Sequence, residues 1–151
     1  NLALGRHHRR PYSSHGLLDP RAFHNEAERL IGENDLRPPD PDALAAGLSG
    51  GNQQKLIVAR ELDCAPRLLV ASQPTRGVDI GAIEFVHSEV IRLRDEGAAV
   101  LLVSSELSEI MTLSDRIAVM YKGRIAAIVD AADATEESLG LLMTGAAEGA
   151  S

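Results

Sequence analysis

The stretch Leu48-Ser49-Gly50-Gly51-Asn52-Gln53-Gln54-Lys55 constrains this chain more than any other. A serine and two glycines stand directly before a run that reads as a helix from Asn52 to about Asp63. The serine hydroxyl can accept from the first unpaired amides of that helix, which makes Ser49 a good N-cap. Gly50 and Gly51 let a bulky anion approach the backbone closely. Unpaired amides and the positive end of a helix dipole together favour an anion, so this stretch could hold a phosphate. A plain capped helix after a loop accounts for Ser-Gly-Gly equally well. The octapeptide as a whole is more specific.

The rest of the chain is consistent with an α/β domain. Asp19-Pro20 starts a helix running to about Glu33, with Phe23, Ala27, Leu30 and Ile31 on one face. Residues Asn1–Gly5 read as the end of an element begun upstream. Arg6 to Gly16 is polar and turn-rich, and Arg6, Arg9 and Arg10 are expected on a wet surface. His7, His8 and His15 have no acidic partner at ligand spacing, so a solvated loop is expected rather than a metal site. Asp35 to Ala46 holds three prolines and reads as a connector.

After the capped helix, Leu68-Leu69-Val70-Ala71 is a continuous apolar run, the pattern of a buried parallel strand. Asp79 can cap a helix over Ile80–Glu96, with Ile83, Val86, Val90 and Leu93 at helical spacing. Ala98 to Ser104 forms a second buried strand, so the three elements make a strand–helix–strand crossover. A short helix over Glu106–Leu113 follows. Arg116–Tyr121 and Arg124–Val129 form a hairpin around Lys122-Gly123. Thr135 caps a last helix, and Gly145 onward reads as a frayed tail.

Composition narrows the functional classes. Aromatic residues make up 3% of the chain, too few for surfaces on which single-stranded bases stack. The net charge of -7 has the wrong sign for duplex binding. Cys64 is the only cysteine, which excludes an internal disulfide and a multi-cysteine metal site. No apolar run reaches the ~18–20 residues that cross a bilayer. The chain opens at Asn1 rather than Met, and we expect it to be part of something longer.

The octapeptide resembles the signature motif of ABC-transporter ATPases, in the form found in subunits that drive uptake of simple sugars and nucleosides. Three further stretches resemble the second ATPase domain of those subunits. They are Gln73-Pro74-Thr75-Arg76-Gly77-Val78-Asp79 with Gly81-Ala82-Ile83-Glu84, then Asp115–Tyr121, then Leu139–Met143. The fold implied is a partial P-loop NTPase core with parallel strands, plus the end of the helical subdomain. Residues 1–47 would be that subdomain end and connector, 48–130 the signature helix and distal core, and 131–151 the C-terminal helix and tail.

The resemblance also exposes departures. The phosphate loop GxxxxGK[ST] is absent, since neither Lys55 nor Lys122 is followed by Ser or Thr. In the family this loop lies upstream of the signature. Ser72 stands where the Walker B aspartate would be, and Gln73 where the catalytic glutamate would be. Ser105 stands at the switch histidine, although as a residue it reads more simply as the N-cap of the next helix. Glutamine can orient a water but cannot take its proton, and loss of a general base costs ~10²–10⁴-fold in rate. Arg76-Gly77-Val78-Asp79 resembles the D-loop.

The resemblance implies ATP as ligand, with Mg²⁺ held mainly by residues outside this chain. Ser49, Gly50, Gly51 and Asn52 would contact the ATP phosphate of a partner domain, in trans. The site on this domain, with Ser72, Gln73 and Ser105, would be degenerate. The implied partners are a second ATPase domain on the same polypeptide, membrane permease subunits and, indirectly, a substrate-binding protein, at the cytoplasmic face of the membrane. Nucleic acid is not expected. The alternatives are a non-catalytic regulatory or docking module of the same fold and a DNA-maintenance ATPase, the latter disfavoured by the acidic balance. Strand edges left without upstream neighbours are expected to promote self-association.

Overall fold

The computed structural model describes residues 1–145. They form two compact units. One comprises Asn1–Leu69 with Pro74–Val100; the other comprises Val70–Gln73 and the chain from Leu101 onward.

In the first unit, the helix that Asp19-Pro20 starts is α1, Pro20–Glu33. Asp19 is extended and its carboxylate accepts from the amides of Arg21 and Ala22, at 3.0 and 3.3 Å. Leu30 and Ile31 are buried, packing with Leu2 and Leu36 and against Ala27 and Leu56. The polar stretch before α1 holds a miniature hairpin that the sequence pattern does not reveal. Its strands are β1, Ser13–Ser14, and β2, Leu17–Leu18, paired antiparallel. His15 and Gly16 turn the corner with φ of 53° and 80°, the pair of left-handed residues a two-residue hairpin of this hand demands.

The helix that Ser49 caps, α2, runs Gly50–Leu62, so both glycines are inside it rather than before it. Helix α3, Ile80–Asp95, buries Ala82, Val86, Val90 and Leu93 and packs against α2. Lys55 of α2 places its ammonium 5.1 Å from the centre of the Phe85 ring of α3.

Strands β3, Leu68–Ser72, and β4, Ala99–Val103, form a two-stranded sheet. They run parallel: the Ala99 amide donates to Arg67 O near their starts and the Gln73 amide to Val103 O near their ends, at 3.0 and 2.7 Å. The parallel direction agrees with the sequence, but the expected burial does not. Both strands alternate between half-buried and exposed. Leu68, Val70, Leu101 and Val103 are 59, 60, 55 and 48% exposed. An unbroken apolar run carries the composition of a strand covered on both faces, and here one set of side chains lies open.

In the second unit, α4 spans Leu107–Leu113. Strands β5, Arg116–Tyr121, and β6, Arg124–Asp130, form the antiparallel hairpin with Lys122 and Gly123 at φ of 45° and 76°. Ile117 and Val119 pack on Ala134 and on Leu139 of α5, Glu136–Thr144. Thr135 and Ser138 make reciprocal side-chain-to-backbone bonds that start α5. Gly145 belongs to the fold rather than to a tail: it is the left-handed C-cap of α5 at φ 74°. The remainder of the expected tail lies outside the described residues. No described helix is long and apolar enough to cross a membrane.

Candidate functional site at the start of the second helix

Ser49 is extended, with φ -61° and ψ 157°, and its Oγ accepts from the Asn52 amide at 3.3 Å. The Asn52 side-chain amide donates to the same Oγ at 3.0 Å. Asn52 is itself held from its other end, because its Oδ1 accepts from the Arg37 amide at 2.8 Å. A serine hydroxyl has two acceptor positions and one donor. Both acceptor positions are engaged here, so the hydroxyl hydrogen is left for an external acceptor. Gln53 fastens the approach by donating from Nε2 to Leu48 O at 3.0 Å.

The two glycines differ in what they do. Neither has positive φ, so neither is required for backbone freedom. Gly50 is exposed, and a Cβ there would meet only Gly77 O, at 3.7 Å. Gly51 is buried; a Cβ there would overlap Asp79 Oδ2 and stand 3.1 Å from Ala82 Cβ. Gly50 therefore offers an open backbone to an anion, whereas the missing side chain of Gly51 is matched by Asp79. The sequence alone suggests one role for both. Asp79 is the N-cap of α3, with Oδ1 accepting from the Ala82 amide at 3.0 Å.

The far end of α2 is fixed by ions. Asp63, its C-cap, is bound by the guanidinium groups of Arg6 and Arg29. Arg29 also bridges Glu26 and Glu33, at 2.7 and 2.6 Å. Burial pushes the Asp63 carboxyl up, but the hydrogen bonds from Arg29 and Arg6 outweigh it and hold it below the usual carboxylate range. Glu26 is lowered by its bond from Arg29, against burial. Arg6, expected on a wet surface, is instead half-buried in this cluster. A polar loop sequence carries no sign of a partner 57 residues away.

In the second unit, Ser72 ends β3 and is exposed. Gln73 follows with φ 50°, a left-handed conformation unusual for a residue with a Cβ. Ser105 Oγ donates to Gln73 Oε1 at 3.3 Å. Ser105 is not the N-cap of α4. That position is Glu106, without a side-chain cap bond, while Ser104 Oγ accepts from the Glu106 amide at 3.0 Å. The serine one residue earlier takes the turn, which leaves Ser105 free to reach Gln73. Ser72, Gln73 and Ser105 bring neutral oxygens and an amide to the strand ends. Among the described residues no three His, Cys, Asp or Glu side chains gather at metal-binding distance.

Comparison with known proteins bears out the family resemblance. No family model matches the chain. A guanosine import ATP-binding protein of Bacillus subtilis is 53% identical over 148 residues, which is 98% of this chain and 29% of that protein. A nucleoside import ATP-binding protein of Lactococcus lactis is 49% identical over 96% of this chain and 29% of its own length. The chain belongs to the ABC ATPase family. It resembles ATP-binding proteins of nucleoside and sugar import, and it spans about 29% of the length of these two relatives. A solved ATP-binding subunit of an ABC transporter superposes with a TM-score of 0.67 at 20% identity, over 84% of this chain and 56% of that one. A dimeric bacterial ABC transporter cassette gives 0.63 at 21% identity, over 78% and 51%. The α/β architecture is thus that of an ABC ATPase core.

Proposed function

We propose that this chain is the distal part of the second ATPase domain of an importer subunit and supplies a signature to a nucleotide site completed by a partner ATPase domain. On this reading residues 1–47 end the helical subdomain, 48–130 carry the signature and distal core, and 131–151 are the C-terminal helix and tail. The observation that carries the proposal is the start of α2. There Ser49 has both acceptor positions filled and its hydrogen available, beside the open backbone of Gly50. A helix N-terminus contributes up to ~2 kcal/mol to a partly buried anion. These groups fit the terminal phosphate of ATP, the ligand whose hydrolysis would drive the transport cycle, with Mg²⁺ held mainly by residues outside this chain.

The chain's own strand ends fit a different role. Gln73 can orient a water through its amide but cannot accept its proton, and Ser72 offers no carboxylate to Mg²⁺. The site built on this domain is therefore weak or silent, and the arrangement is asymmetric. The partners are a second ATPase domain on the same polypeptide and a membrane permease at the cytoplasmic face, with a substrate-binding protein acting indirectly. The resemblance to nucleoside and sugar import proteins supports a nucleoside or simple sugar as the solute.

Uptake tests the proposal. Cells carrying the complete importer take up labelled nucleoside or ribose, and Gly50→Glu places a carboxylate where the phosphate binds. Uptake should fall to background with protein level unchanged. Full uptake would leave a regulatory or docking module as the better account.

A further inference from the structure

The first turn of the signature helix rests on the loop that precedes α3 at two points. The Cα of Gly50 faces Gly77 O, and Gly51 lies against the Asp79 carboxylate. Asp79 divides its two oxygens between tasks: Oδ1 accepts from the Ala82 amide, and Oδ2 occupies the space in which a Gly51 side chain would lie. The helices behind this contact are packed together, with Ala82 and Val86 of α3 buried and Lys55 of α2 set over Phe85. Close-packed contacts transmit small displacements instead of absorbing them. Gly77, at φ 72°, gives the loop a backbone corner that a residue with a Cβ would resist.

We infer that Asp79 is a positioning residue for the signature: its carboxylate, seated against Gly51, sets where Ser49 and Gly50 present their donors. Movement of the loop 76–79 then moves the phosphate-binding end of α2, because no side chain at position 51 cushions the contact. This rests on the reading of Ser49 and Gly50 as phosphate contacts. The coupling is steric, so it depends on the size of residue 79 more than on its charge. Asn keeps the shape of Asp and caps a helix equally well, whereas Ser caps with a shorter side chain.

The test is a set of double-substitution cycles in the full-length subunit assembled with its permease, read by ATPase rate and by thermal melting. Gly51→Ala is made in three backgrounds: wild type, Asp79→Asn and Asp79→Ser. We expect Gly51→Ala to lower the rate about tenfold in the first two and less than about threefold in the Asp79→Ser background, the scale on which contacting residues couple. Equal loss in all three backgrounds overturns the inference. Where Gly51→Ala does not accumulate, recovery of assembly by Asp79→Ser but not Asp79→Asn reports the same coupling, and recovery by neither overturns it. Gly50→Glu separates this from the functional proposal. Unchanged ATPase with Gly50→Glu, alongside rescue of melting by Asp79→Ser, removes the phosphate role and leaves the packing. Collapse with Gly50→Glu, alongside background-independent loss at Gly51, does the reverse.

Discussion

Ser105 Oγ donates to Gln73 Oε1 at 3.3 Å, joining the ends of two parallel strands through a pair of neutral side chains. On the proposed reading these are the positions of a general base and a phosphate-contacting switch. The bond takes one of the two acceptor positions of the Gln73 oxygen.

The backbone at Gln73 makes a first prediction. A left-handed residue with a Cβ costs about 1–2 kcal/mol, and a β-branched one is harder still to place there. Gln73→Gly should therefore be as stable as the wild type or more so, despite losing the bond from Ser105. Gln73→Val should be less stable than the wild type, because branching at Cβ adds to a cost that Gln73 already carries. Urea denaturation of the two variants checks the order; a more stable Val variant would contradict it.

The Asp63 cluster makes the chain acid-sensitive. The folded-state values of Asp63 and Glu26 both lie below normal, so their contribution is present above the ordinary carboxylate range near pH ~4 and is lost as pH falls through the lowered values. Asp63→Asn should flatten the decline of stability as pH falls below the ordinary carboxylate range. At neutral pH it should cost about 1–3 kcal/mol, because Arg6, half-buried, and Arg29, exposed, lose a charged two-oxygen acceptor and are left to share one amide oxygen. Melting temperatures from neutral to acid pH measure both effects.

Gly145 closes α5 against Tyr121. A Cβ at Gly145 would overlap the Tyr121 ring, in addition to resisting φ 74°. Asn tolerates the left-handed backbone at such a cap. If the ring is the greater obstacle, Gly145→Asn should destabilise as much as Gly145→Ala, by at least about 1 kcal/mol. A fully stable Asn variant in thermal melts would assign the cost to φ alone.

Local chemistry is what the sequence announces well. Asp19-Pro20, Ser49, Asp79 and Thr135 all begin helices because each cap is settled within three or four residues. Lys122-Gly123 marks its hairpin for the same reason. What the sequence hides depends on distant partners or on small offsets. Arg6 finds Asp63 across the first unit. The turn before α4 is taken by Ser104, and nothing in Ser104-Ser105-Glu106 says which serine will take it. Gly50 and Gly51 look equivalent until Asp79 is found against one of them. The open faces of β3 and β4 carry side chains suited to burial on both sides, so their run of apolar residues reports direction and pairing better than exposure.

The asymmetry of the proposed site is the central claim, and the steady-state ATPase rate of the full-length subunit tests it most directly. Gly50→Glu and Gln73→Ala are compared with wild type in one preparation. Gly50→Glu should lower the rate by about 10²-fold or more, the scale of losing a group that stabilises developing charge. Gln73→Ala, at a site that already lacks a base, should change it by less than about threefold. Equal losses from the two substitutions, or an unchanged rate with Gly50→Glu, would contradict the account.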